Sequence, residues 1–299
     1  MYDLFMKFEN PTYEFLNKPS IQGFSVYGDF GIVLYHTGIC AIYDLSARNE
    51  KPIGVFPLGS YNCGEPDGRY ANHTNDCMFG AKIDGEEFPL LYVTTGNSGE
   101  CDERGYIAYC AVEQIKRENG ALSAKTVQKI YYKNDGIEIT EFQTPGWGWP
   151  ASLVDAEGGW YYMVSARYRT KKEFYKPDNV YIVTKFRLPP PTLEEVTLTP
   201  SDIVEQFELP FDVFITQGGT IYDGKIWYMF GFGSREYPNA MRVVDLNEKR
   251  YVLCEDLSDT PFADEEVECC AFRGDKLLIN VQTGKIYEAS ASDLYRKMK

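Results

Sequence analysis

Acidic side chains are concentrated near the C-terminus, where the sequence reads Asp-Glu-Glu-Val-Glu from residue 264 to residue 268. Paired carboxylates cleave glycosidic bonds when one of them is kept protonated. If this stretch faces Asp76 or Asp155 in the fold, such a pair could form. The candidate catalytic residues are Asp76, Asp155, Glu265 and Glu268. The simpler interpretation is an acidic loop that is merely solvated.

Polar residues also occupy matching places in a repeated segment. Copies of this segment run over Ile21–Tyr35, Thr216–Gly233 and Val267–Asn280. Gln22 aligns with Gln217, and Glu268 takes the same place in the third copy. Buried polar side chains without partners are costly, so such positions indicate either a ligand pocket or bonds to neighbouring segments and water. The sequence leaves both interpretations open.

Each copy has the pattern of a β-hairpin. In the second copy Thr220–Tyr222 is a strand of β-forming residues, Asp223-Gly224 suits a two-residue turn, and Ile226–Phe230 reads as a buried return strand. Further strand patterns follow each hairpin in meander order. Each unit is therefore predicted to be one antiparallel sheet of four strands.

Five such units follow one another along the 299 residues, which we assign to a single domain. The predicted units cover residues 21–58, 73–132, 138–200, 214–254 and 265–289. The last unit lacks a fourth strand, while residues 4–9 form a strand candidate without a hairpin of its own. We expect these residues to complete the last unit and so remove a free sheet edge. Six units are the alternative, if residues 136–211 divide in two.

Repeated four-stranded meanders must pack against copies of themselves, which predicts an all-β, five-bladed β-propeller. The sequence resembles the β-propeller superfamily over nearly its whole length. Its ending, Glu-Val-Glu followed by Gly-Lys-Ile-Tyr-Glu, resembles the last blades of uncharacterised bacterial propellers. The resemblance implies a fold and no activity. In a propeller the innermost strands line a central channel, so Gln22, Gln217 and Glu268 should ring one rim with His73, Asn75 and Asp76 nearby.

Two other motifs could contribute to a site. Trp147 and Trp149 lie in Gly-Trp-Gly-Trp-Pro, where flanking glycines would let the rings stack on a sugar, although packing between blades is an equal alternative. Cys77 with His73 could form a nucleophilic pair, but nothing except the histidine would lower the thiol pKa. We therefore rank the Cys77–His73 pair below the acidic, amide and tryptophan candidates.

Composition narrows the function classes. The formal charge of −14 disfavours nucleic acid and anionic membranes as partners. No apolar run is long enough to span a membrane and no signal peptide is evident, which predicts a soluble, cytoplasmic protein, or a secreted or periplasmic one if a leader has been removed. The eight cysteines lack metal-site spacing and read mainly as buried thiols, so we expect no metal, and the sequence identifies no cofactor.

These observations favour a non-catalytic ligand-binding or scaffolding module with a polar pocket at the channel mouth. Its partner would be a small polar ligand or carbohydrate, or another protein. The alternative is a carbohydrate-active enzyme, similar to a glycoside hydrolase, that uses the rim carboxylates.

Overall fold

A computed structural model gives the structure of the chain. It describes residues 2–11, 20–36, 38–60, 74–95, 106–133, 151–167 and 176–299. Within these ranges the regular secondary structure is almost entirely β-strand, with one short α-helix, α1, at Ala291–Tyr295 and one 3-10 turn at Pro200–Asp202. The predicted all-β class is confirmed.

The strands follow the chain in the predicted meander order. An N-terminal strand, β1, covers Asp3–Lys7. The strands of the first two units are β2 (Ile21–Tyr27), β3 (Phe30–Tyr35), β4 (Ile39–Asp44), β5 (Gly54–Pro57), β6 (Thr74–Phe79), β7 (Leu91–Thr95), β8 (Tyr106–Glu118) and β9 (Ala121–Lys133). The third unit contains β10 (Ala151–Asp155), β11 (Trp160–Ala166), β12 (Val180–Arg187), β13 (Glu195–Leu198) and β14 (Ile203–Pro210). The last two units contain β15 (Thr216–Tyr222), β16 (Lys225–Phe230), β17 (Ala240–Asp245), β18 (Arg250–Asp256), β19 (Val267–Arg273), β20 (Lys276–Val281) and β21 (Lys285–Ser290).

These strands form five sheets within the described part of the chain, antiparallel except where β13 joins β9, and here called blades one to five in chain order. The innermost strands are β2, β6, β10, β15 and β19, and each contacts the next around a closed ring. This arrangement is the predicted five-bladed β-propeller.

The hairpin turns follow the chemistry of their residues. Asp223 and Gly224 both have positive φ, 50° and 67°. A two-residue turn with positive φ at both positions matches the twist of the flanking strands, and glycine adopts this conformation without a steric penalty. The turn between β15 and β16 is therefore the one predicted from Asp-Gly.

Side chains alternate between the two faces of each blade and fill the spaces between blades. On β16, Ile226 and Tyr228 pack towards blade three, whereas Trp227 and Met229 pack towards blade five. The core is accordingly a ring of apolar layers between blades, as expected when both faces of every sheet are covered.

The N-terminal strand closes the ring. β1 pairs antiparallel with β21, and Asp3 lies opposite Glu288. It thereby becomes the outer strand of blade five, which confirms the predicted closure. Phe5 and Met6 on this strand are buried against blade one and blade five.

Blade three differs from the predicted organisation. The predicted third unit ends at residue 200, but β13, close to that end, pairs in parallel with β9 and adds a fifth strand to blade two. The outer strand of blade three is β14, which pairs with β12. The buried Gln128 side chain explains part of this exchange, because its Nε2 donates to the backbone oxygens of Pro190 and Leu193, at 2.7 and 2.8 Å.

Candidate functional site

A β-bulge occurs at the same place in four of the inner strands. Pairing with the neighbouring strand skips one residue at Gln22, at Asn75, in the Gln217-Gly218 step and at Glu268. A bulge bends the strand and redirects the extra side chain. The positions aligned from the sequence repeat are thus structurally equivalent, and all lie near the start of an inner strand, at one mouth of the channel.

At this mouth five described side chains form a hydrogen-bonded group, and the buried Glu268 carboxyl lies close enough to Glu266 to feel its charge. We call the set the mouth cluster; it consists of Ser20, Gln22, Gln217, Glu266, Glu268 and Gln282.

Glu266 is held on both sides by amides of the mouth cluster. Its Oε1 accepts from Gln217 Nε2 at 3.1 Å, and its Oε2 accepts from Gln282 Nε2 at 2.9 Å. The Ser20 hydroxyl accepts from Gln282 Nε2 at 3.4 Å and from Gln22 Nε2 at 3.3 Å. Blades one, four and five therefore contribute to one continuous polar network.

Glu268 is the buried acid of the mouth cluster. Its side chain is 1% exposed, and its Oε1 has no hydrogen-bond partner among the residues that the structure describes. Burial, and then the nearby charge of Glu266, raise the pKa of Glu268 well above its usual range. Burial also raises the pKa of Glu266, although the hydrogen bond from Gln217 opposes this change. The protonated form of Glu268 is therefore favoured relative to that of an exposed glutamate.

Asp76 lies deeper, where it joins three inner strands. Its Oδ1 accepts from the backbone N–H of Cys77 at 2.7 Å and from the Cys269 thiol at 2.9 Å, while Oδ2 accepts from the N–H of Gly219 at 2.9 Å. Burial raises its pKa to about 7, against the lowering effect of these bonds. A Cβ at Gly218 would lie 2.8 Å from Asp76 Oδ1, so glycine provides the space for this carboxyl.

The remaining acidic candidates lie apart from Glu268. Asp155 is the last residue of the five-residue strand β10, about 13 Å along the strand from its start. It accepts from the N–H of Gly158 in the turn at the opposite end of the channel. Glu265 accepts from Lys285, Tyr287 and Thr283, and the bonds from these groups lower its pKa. The expected pairing of Asp155 with this acidic stretch does not occur.

Several predicted residues fall outside the described part. His73, Trp147 and Trp149 lie outside the described residues, and of Asn75 only the backbone is described. The Cys77 thiol is fully buried, and burial raises its pKa, which opposes a role as a nucleophile.

Sequence reasoning missed two members of the mouth cluster, Ser20 and Gln282. Each lies one residue outside a strand end, Ser20 just before β2 and Gln282 just after β20. A polar residue next to a strand end at the same rim is the signal that could have identified both.

The described residues contain no group of three or more His, Cys, Asp or Glu side chains arranged to hold a metal ion. They also include no helix with the length and apolar character required to cross a membrane. Of the six cysteines in this part, five are buried thiols and Cys254 is exposed.

No family model matches the sequence, and no curated protein sequence matches it. Among solved structures, the chain is similar to the crystal structure of Myxococcus xanthus glutaminyl cyclase, with a TM-score of 0.49 and 11% identity over 96% of this chain and 94% of that one. It is also similar to Kuenenia stuttgartiensis hydrazine synthase, with a TM-score of 0.41 and 11% identity over 93% of this chain and 70% of that one. Neither likeness bears on the chemistry at the channel mouth.

Proposed function

We propose that this propeller is a non-catalytic binding module whose mouth cluster takes a small polar ligand, with carbohydrates as one candidate class. The observation that carries the proposal is the unpartnered Oε1 of Glu268, buried beside a network of three amides. A stranded buried acceptor costs about 1–3 kcal/mol, and proteins commonly retain such a cost where it serves a site.

The amides of the mouth cluster suit a ligand rich in hydroxyl groups. Gln217 uses its Nε2 for Gly231 O and Glu266 Oε1, at 2.9 and 3.1 Å. Its carbonyl oxygen accepts no hydrogen bond within the described part of the chain, and the side chain is partly exposed. Gln217 can therefore accept from a ligand hydroxyl without breaking the bonds that hold its own amide in place.

A carbohydrate-active enzyme is the second candidate, and one observation favours it. Burial and the charge of Glu266 raise the pKa of Glu268, and a general acid for glycoside cleavage needs a raised pKa. Two observations speak against it. The oxygens of Asp76 are already bonded to protein donors, and Asp155 is at the other end of the channel.

Substitutions in the mouth cluster test the proposal. Binding of a panel of mono- and disaccharides, measured by NMR titration, should weaken roughly tenfold in Gln217→Ala and in Glu268→Gln, because each loses about one hydrogen bond to the ligand. Glu248→Gln, an exposed change in the turn after β17, is the matched control and should bind normally. Thermal melts of the variants establish that they fold.

Turnover distinguishes the two candidates. A screen of chromogenic glycosides should show no hydrolysis if the protein is a binding module. Hydrolysis that disappears in Glu268→Gln while sugar binding persists would establish the enzyme instead. Sugar binding that is unaffected by both mouth-cluster variants would overturn the proposed site.

A further inference from the structure

We infer that the ligand of the mouth cluster carries a primary ammonium group, which Glu266 and Glu268 accept together. This inference rests on the proposed binding function and narrows the chemical class of its ligand.

The first argument is the missing counter-charge. Within the described residues, no lysine, arginine or histidine forms an ion pair with Glu266 or Glu268. The nearby Lys285 is bonded to Glu265 at 2.9 Å. Buried carboxylates in proteins are normally paired with a cation or hydrogen-bonded on every oxygen. A cationic ligand would supply the charge that these two acids lack.

The second argument is the balance of donors and acceptors. Gln217 and Gln282 both direct their amide nitrogens at Glu266, which stabilises its ionised form and fixes its orientation. Glu268 Oε1 remains free as an acceptor. An ammonium group has three donors and no acceptor, so it matches a site that offers carboxyl oxygens. Hydrogen bonds from such a cation to carboxylates are also about twice as strong as neutral ones.

The other titratable groups that the structure describes around the cluster add no positive charge. From β6 come Asp76 and Cys77, and from β19 comes Cys269, whose thiol donates to Asp76. His36, at the end of β3, bonds through its backbone to Ser20, and burial lowers the pKa of its imidazole, which leaves it neutral at pH 7. The formal charge of −14 for the whole chain also draws cations towards the protein.

Matched pairs of ligands test the inference on the unmodified protein. Isothermal titration calorimetry should give at least tenfold tighter binding for glucosamine than for glucose, and for ethanolamine than for ethylene glycol. Binding of the amines should release protons, seen as a dependence of the heat on the buffer, because an adjacent cation lowers the raised pKa of Glu268. Amine affinity should fall as the pH is lowered from 7.5 to 5.5, since protons then compete for both carboxyls.

Charge-neutralising variants locate the amine. Glu266→Gln and Glu268→Gln should each remove the preference for glucosamine over glucose, whereas Glu248→Gln should retain it. If glucose binds at the mouth as tightly as glucosamine, the ammonium inference is overturned and the proposed function stands. If neither the amines nor the neutral ligands bind, the ammonium inference and the proposed function are both overturned. An amine preference that survives in both mouth variants would place the cation elsewhere and also overturn the inference.

Discussion

Asp76 connects three blades through one buried carboxyl, and its protonation should be visible in stability. Its pKa is raised from 3.8 to about 7. Between these values the folded protein holds a proton that the unfolded chain releases. Asp76 therefore makes the folded state less stable as the pH rises through this window, with a slope of at most about 1.4 kcal/mol per pH unit, and adds no further slope above it.

Asp76→Asn tests this directly. The asparagine NH2 group would face a donor, either the Gly219 N–H or the Cys269 thiol, and the hydrogen bond made there by Asp76 would be lost. We therefore expect the free energy of unfolding to fall by roughly 1–3 kcal/mol at pH 4.5. Because asparagine does not titrate, the difference from the unmodified protein should shrink towards pH 7. Urea unfolding at several pH values measures this difference in unfolding free energy. Other acids with shifted pKa values, such as Glu113, contribute equally in both proteins, so their effects cancel. Parallel pH profiles for the two proteins would contradict the assignment.

The sequence located part of the site because a repeated sequence reflects a repeated backbone. Gln22, Gln217 and Glu268 were aligned from the repeat, and each lies in an inner-strand bulge. The sequence did not show that Asp76 is buried further inside the channel than the mouth cluster. A shift of one residue exchanges the two faces of a strand, and the bulge that places Asn75 as the extra residue sets which face Asp76 takes.

Other parts of the site depend on contacts between distant segments. The bond between Gln282 and Ser20 joins residues from the two ends of the chain, and no local pattern encodes it. Asp155 is a different case. It is the last residue of a five-residue strand that starts at the mouth, so strand length alone places it at the opposite end.

Strand β13 belongs by sequence to the third unit and by pairing to the second. The Pro189-Pro190-Pro191 run lies inside the predicted third unit, and after it the chain crosses to β9. A parallel strand pair is not joined by a tight turn, so the local sequence does not indicate it as it indicates a hairpin. The consecutive strands β15 to β21, which pair antiparallel in chain order within blades four and five, were accordingly easier to predict than the edge of blade three.

Gln128 should hold this exchanged strand in place. Gln128→Ala removes two hydrogen bonds, to Pro190 O and Leu193 O, and should cost about 1–3 kcal/mol of folding stability. Amide hydrogen exchange in β13 should accelerate more than in β14. The control is Gln206→Ala, which removes a partly buried hydrogen bond to Thr184 on the neighbouring strand and should leave β13 protected. Unchanged exchange in β13 after loss of Gln128 would show that strand pairing alone secures it.

The whole ring depends on β1, and two adjacent residues allow this to be measured. Phe5 is 6% exposed and packs in the core between blades one and five, whereas Leu4 is 57% exposed on the same strand. Phe5→Ala should cost about 3–5 kcal/mol, and Leu4→Ala should change stability little. Thermal melts compare them, and removal of the first ten residues should lower the melting temperature further. Equal melts for the two variants would argue against closure by this strand.

The pairing of Asp3 with Glu288 also has a consequence for biosynthesis. During translation β1 is made before β2 to β20, whereas its partner β21 is made after them. Until then the apolar face of blade one, including Phe24 and Val33, lacks its cover from blade five. Contacts between such distant segments form slowly and leave surface open to aggregation. Ring closure therefore waits for the synthesis of β21, and chains that still lack this strand should be the form of the protein most prone to aggregate.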